Sequence, residues 1–183
     1  MSNEQLVSRA MVSEARIDNN KLRVGNLNAD EWVQLASCAD VLSRMNFYFS
    51  DAAGVTVNDI KAKLLRLKDV GLVVIDYLQL MSSGRRTENR VQEISQMTRN
   101  LKIMAKELDV PVILLSQLSR AAEQRQGHKP MLSDLRDSGS IEQDADIVLF
   151  LYRDTYYKDD ENGKEEEADP TDAQCIVAKN RHG

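Results

Sequence analysis

"VVIDYLQLM", residues 73–81, is a continuous apolar run broken by one carboxylate, Asp76, after which the chain turns polar at Tyr77 and Gln79. A β-branched start without polar alternation reads as a strand covered on both faces, the kind that belongs to a parallel sheet. Parallel strands need crossover helices, and the flanking sequence supplies them. Upstream, Thr56 and Asp59 can cap a helix whose inner face is Val57, Ile60, Leu64 and Leu67. Downstream, Val91, Ile94, Met97, Leu101, Met104 and Leu108 recur at three and four residues and predict a helix of about 18 residues. Pro111 then starts the strand "PVILLSQ" (111–117), and "DIVLFLY" (146–152) and "AQCIVAK" (173–179) supply two more. Towards the start of the chain, Ser2 and Gln5 form a capping box for a helix over 3–16. Trp32, Leu35, Ala36, Ala39 and Leu42 predict another over 30–45, and "FYFSDAAG" (47–54) reads as a short strand leaving through a glycine. The class is α/β, with helices flanking a largely parallel sheet.

With 183 residues, the chain can bury one sizeable core, and no internal repeat or linker divides it. A net charge of −5 excludes a protein coated in basic surface, though a few basic loops can still grip a polyanion. Cys38 and Cys175 lie far apart without metal-ligand or disulfide spacing and read as small core residues in a reducing cytosol. No leader or membrane-length apolar run occurs, so a cytoplasmic protein with no membrane contact is expected. "KDDENGKEEEADPTD" (158–172) lacks apolar anchors and reads as a surface loop or hairpin tip.

In open α/β sheets, ligands gather at the carboxyl ends of the strands. Those ends carry Ser50 and Asp51, then Asp76, then Ser116 and Gln117, and last Lys179, Asn180 and Arg181. An acid for magnesium, an amide for a γ-phosphate and a pair of cations make a nucleoside triphosphate site. Each has a plainer alternative. Asp76 alone is a common strand-end residue, Asp51 a turn former, Gln117 and Ser116 loop-backbone partners, and Lys179 and Arg181 solvated charges. In "MLSDLRDSGSIEQDAD" (131–146), a Ser-Gly-Ser turn beside Arg136 can offer N–H groups and charge to phosphates, or merely join two strands. Arg85, Arg86 and Arg90 in "SSGRRTENR" (82–90) face the same choice, and His128, alone in its loop, reads as solvent-facing.

Taken in order, "GLVVIDYLQLM", "PVILLSQLSRAAEQR", "SDLRDSGSIEQDADIVLFLYRD" and "IVAKNRHG" resemble the motifs of the DnaB-type replicative helicases, and "MSNEQLVSRAMVSEARID" is similar to a further segment of that family. The resemblance covers nearly the whole chain. It implies a RecA-like three-layer core with a mostly parallel central sheet flanked by helices. It also implies ATP and Mg2+ as cofactors, a homo-hexameric ring around single-stranded DNA, and a primase and a helicase loader as partners. By the same resemblance, Asp76 is the Walker B acid that positions magnesium, indirectly through water or by direct contact. Gln117 couples the γ-phosphate to DNA contacts, while Arg136, Asp137 and Gly139 meet the DNA backbone. Lys179 and Arg181 reach the neighbouring subunit's ATP, with Arg181 as the arginine finger.

The departures are as informative. No GxxxxGK[ST] occurs, and the only Gly-Lys pair, Gly163-Lys164, sits in the acidic loop without a preceding glycine or a following hydroxyl. The expectation is therefore that residues 1–183 are part of a RecA-like ATPase domain, lacking upstream phosphate-binding, N-terminal and closing C-terminal pieces, and inactive alone. The competing readings are a recombination ATPase of the RecA or Sms type and a non-catalytic DNA- or partner-binding module.

Overall fold

Ser2 opens the first helix, α1 (Asn3–Ala15), as its sequence predicts. The Ser2 hydroxyl accepts from the Gln5 N–H at 3.3 Å, and the Gln5 side chain accepts from the Ser2 N–H at 3.2 Å. The computed structural model describes residues 2–84, 89–123, 125, 128–135, 139–153 and 172–181. It divides into two units, Met1–Ala53 and Gly54–Gly183.

In the first unit, α1 is followed by α2 (Asn19–Val24) and α3 (Ala29–Ser43). The helix α2 is not among the expected elements; its signals are the Asp18 carboxylate, which accepts from the Asn20 N–H at 2.7 Å, and Gly25, left-handed at φ 71°. Val12, Ala15, Ile17 and Leu35 form a small core against which Cys38 packs half-buried, whereas Cys175, expected as a core residue, is exposed; Lys21 pairs with Glu31 at 2.7 Å. The strand expected over 47–54 does not form. Phe47, Tyr48 and Phe49 are exposed outside any helix or strand, with the Phe47 and Phe49 rings stacked at 6.1 Å. Aromatic composition favours a strand only where a pairing edge and a packing surface receive it.

The second unit runs α4 (Val57–Leu64), β1 (Val73–Ile75), α5 (Arg90–Leu108), β2 (Val112–Leu114), α6 (Gly139–Asp144), β3 (Ile147–Tyr152) and β4 (Gln174–Asn180). Thr56 caps α4 through the predicted box with Asp59. The periodic apolar stripe of α5 is its buried face: Ile94, Met97, Leu101 and Met104 pack with Leu78, Leu135, Val148 and Phe150. Each such side chain contributes about 1.5–3 kcal/mol by leaving water.

The pairing of strands departs from one continuous parallel sheet. β1 and β2 pair parallel, Val73 opposite Val112, whereas β3 and β4 pair antiparallel, Ile147 opposite Asn180, with an irregularity at Val148/Leu149. Among the described residues these are two separate two-stranded sheets. An antiparallel pair needs no crossover helix, which fits the anchor-free stretch 158–172; nearly all of that stretch lies outside the described residues.

The expectation of cover on both faces is met on one face only. β3 alternates exposed and buried from Ile147 to Tyr152, yet every exposed position is apolar, with Leu151 81% exposed. Val74 of β1 is 58% exposed and Ile113 of β2 is 51% exposed. Strands patterned for two apolar contacts here find one, because α4, α5 and α6 pack on the other side.

Candidate functional site

β1 and β2 deliver the first two candidates side by side. Leu115 N–H donates to Ile75 O at 3.0 Å and Leu78 N–H to Leu115 O at 2.9 Å, so the parallel pairing continues past the strand ends. Asp76 follows β1 directly, and Gln117 lies three residues beyond β2. The Asp76–Tyr77 peptide is cis. What holds the two ends together is Gln79. Its carboxamide donates to Ser116 Oγ at 3.1 Å and to Gln117 O at 3.3 Å, and accepts from the Gln117 N–H at 3.3 Å. Arg90 in turn donates to Gln79 O at 3.1 Å and pairs with Glu93 at 2.5 Å, which holds the Glu93 carboxyl below its usual range. Sequence reading marks Gln79 only as the point where the run turns polar; a carboxamide a few residues past a strand end is the available signal.

The Asp76 carboxylate is exposed, and none of the described hydrogen bonds or ion pairs uses it. Magnesium keeps several waters and takes one or two carboxylates together with substrate phosphates, so a single open carboxylate fits it. Among the described residues no cluster of three acids, histidines or cysteines forms a protein-only cage. Ser50 and Asp51, expected at a neighbouring strand end, lie in the first unit where no strand forms.

The cations at the other strand end are held by the fold, although Arg181 is also exposed. Lys179 Nζ donates to Ala145 O at 2.8 Å and to Glu142 O, carbonyls at and just past the end of α6. Arg181 donates from Nη2 to Gln143 O at 2.6 Å, from Nη1 to Asp146 Oδ1 at 3.2 Å and from its backbone N–H to Asp146 O at 2.8 Å. Asp146 Oδ2 is also paired with Lys102, and Thr98 Oγ1 donates to Asp144 Oδ2 at 2.7 Å. Of the acids of "IEQDAD", Asp146 is thus neutralised by cations of the same chain, and Asp144 is held by a hydroxyl. Neither Lys179 nor Arg181 shares a described contact with Asp76 or Gln117.

Arg136 and Asp137 lie outside the described residues, as do Arg85 and Arg86. Gly139, expected in an open turn, is the first residue of α6. The stretch leading towards it is fixed by Asp134, a buried carboxylate 2% exposed. Arg125 grips it with two nitrogens at 2.7 and 3.1 Å, and the Met131 N–H donates to it at 2.8 Å. Arg125, then burial acting against it, then the Met131 bond set its acidity, and the carboxyl lies below the usual carboxylate range. Asp134 O also accepts from the Ser119 N–H at 3.0 Å, joining the stretch after Gln117 to the stretch before Arg136. His128, expected to face solvent, is half-buried in a cavity of about 260 Å³ that it lines with Leu118, Tyr152 and Arg153.

Comparison with known proteins shows the family of the chain. The family model for the DnaB-like helicase C-terminal domain matches residues 1–183. The chain is 50% identical to a replicative DNA helicase DnaB of Geobacillus stearothermophilus and 49% identical to the replicative DNA helicase DnaC of Bacillus subtilis, in each case over the whole chain. It spans 40% of the length of both relatives. Among solved structures, an isolated ATPase domain superposes with a TM-score of 0.90 at 41% identity, covering 100% of this chain and 65% of that one. A DnaB-like replicative helicase, whose structure was described with its primase interactions, superposes at 0.89 and 41% identity over 99% of this chain and 43% of its own. No helix among the described residues is long and apolar enough to cross a membrane.

Proposed function

This chain belongs to the DnaB-like helicase C-terminal domain family, and on that premise we propose that it is the ATPase portion of a replicative DNA helicase. In this reading it works in a cytoplasmic homo-hexameric ring, unwinds duplex DNA by coupling ATP hydrolysis to movement on single-stranded DNA, and meets a primase and a helicase loader. Its fold in the ring is the RecA-like three-layer core, which gives the open apolar face of β1, β2 and β3 its second layer. The observation that carries the proposal is the pairing of an unused carboxylate, Asp76, with Gln117 on adjacent parallel strand ends.

The residues divide the work. Bound Mg-ATP supplies a phosphoryl group whose charge must be neutralised as it transfers. Asp76 would hold the magnesium, which would supply charge neutralisation at the phosphates. Gln117 touches the γ-phosphate side, and its backbone, clasped by Gln79, carries that contact towards the Ser119–Asp134 bond and the segment holding Arg136, Asp137 and Gly139, which grip the DNA backbone. Lys179 and Arg181 act on a neighbouring subunit's nucleotide. No GxxxxGK[ST] occurs in these 183 residues, so phosphate-gripping groups must come from outside them.

Magnesium-dependent ATP hydrolysis tests the proposal, measured with and without single-stranded DNA. The chain alone is expected to turn over negligibly. The complete ring, phosphate loop included, is expected to show DNA-stimulated turnover that Asp76→Ala abolishes. Robust turnover by the chain alone, or ring turnover indifferent to Asp76→Ala, would overturn it.

A further inference from the structure

We propose that Asp146 is a positioning residue for Arg181, and that with the C-terminal carbonyls of α6 it forms a seat that holds the Lys179/Arg181 pair aimed as one unit. The inference rests on the reading of Arg181 as the cation that acts on a neighbour's phosphate. It adds how that cation is held in place and what moves it.

Arginine loses considerable side-chain rotamer entropy when it is fixed, and a charge-stabilising group is effective only if it is already oriented when charge develops. Arg181 is 43% exposed just past the end of β4, where a free side chain would sample many rotamers. Its guanidinium is held by the Gln143 carbonyl and the Asp146 carboxylate, and its backbone by the Asp146 carbonyl. The guanidinium has five N–H donors, and the two described bonds it makes use only two of them.

Asp146 suits this role because each of its oxygens has its own cation. Oδ1 meets Arg181, while Oδ2 meets Lys102 on α5, the helix whose other face is the core. Thr98, one turn before Lys102, donates its hydroxyl to Asp144 at the end of α6. The seat is therefore tied to the core through α5, and the helix that builds it begins at Gly139, next to the proposed DNA-contacting Arg136 and Asp137. A shift of α6 on DNA binding would carry the cations with it, since Lys179 and Arg181 hold carbonyls at the C-terminal end of α6.

A double-mutant cycle on DNA-stimulated ATP hydrolysis by the complete ring tests the assignment. Asp146→Asn is expected to lower kcat about tenfold with the KM for ATP within about twofold, and to add less than about twofold in an Arg181→Ala background. Asp146→Glu should recover part of the loss. Thermal melting followed by circular dichroism checks folding; if Asp146→Asn does not fold, Lys102→Met replaces it, with an effect of about threefold and the same non-additivity expected. Losses that multiply in the double variant, or an Asp146→Asn ring as fast as the parent while Arg181→Ala is slow, overturn the positioning role alone. An Arg181→Ala ring as fast as the parent overturns the underlying reading of Arg181 as well, and the single variant makes that distinction.

Discussion

At the end of β1, Asp76 stands exposed with none of the described hydrogen bonds on its carboxylate, whereas at the end of β4, Lys179 and Arg181 are committed to α6 and Asp146. Both ends carry charge that family resemblance assigns to the same chemistry, yet one is open and the other seated. Under the roles proposed for these residues, the contrast has a physical reason. A magnesium-binding acid must leave its lone pairs to water and metal, since any internal donor would compete with them. A cation that stabilises a transition state gains from being oriented beforehand, so internal acceptors help it as long as some donors stay unused.

Rate and stability should therefore separate at the two ends, and the largest effect breaks or upholds the contrast most directly. Arg181→Ala is expected to lower ring hydrolysis by about a thousandfold, read from steady-state turnover with saturating DNA; a loss under about tenfold would leave the seat without a function. Next comes the buried pair between the two ends. Asp134→Asn strands the partly exposed Arg125 and should cost about 2 kcal/mol in urea unfolding. Because the folded-state pKa of Asp134 is depressed, its contribution is present above the unfolded carboxylate pKa and is lost as pH falls through the lower folded value. The parent should thus lose stability on acidification in that window more steeply than Asp134→Asn. Lys179→Met leaves carbonyls at the end of α6 without their donor and is expected to cost about 1 kcal/mol in the same unfolding measurement. Gln79→Ala should cost a similar amount, about 1 kcal/mol, by opening the clasp on Gln117. Smallest of all, Asp76→Asn should change stability by less than about 0.5 kcal/mol while abolishing ring turnover; a larger stability loss would mean the acid is structural after all.

Much of this arrangement is legible in the residues. The capping boxes at Ser2 and Thr56 and the stripe on α5 depend on contacts within one helix or on one periodic face, and they form where the residues put them. Asp76 and Gln117 are legible as strand-end residues, and the parallel pairing of β1 with β2 brings them together. The failures share a cause. "FYFSDAAG" has strand composition but no ladder among the described residues, and where a largely parallel sheet is expected the described strands form a parallel pair and an antiparallel pair, because pairing partners are chosen across the fold. Gln79, Asp134 and Asp146 escape a sequence reading since a carboxamide or a carboxylate in a polar stretch carries no local sign of the partner it will meet.

By itself, then, the sequence determined the helices, the apolar strands and the residue types placed at their ends, since these follow from periodicity and capping within a few residues. It also determined that the strands are apolar on both faces, and so that β1, β2 and β3 are built for two layers of contact. Only the tertiary structure decided which end stays open and which is seated. The acceptors for Lys179 and Arg181 lie 34 or more residues away along the chain, and only packing brings α6 against the end of β4.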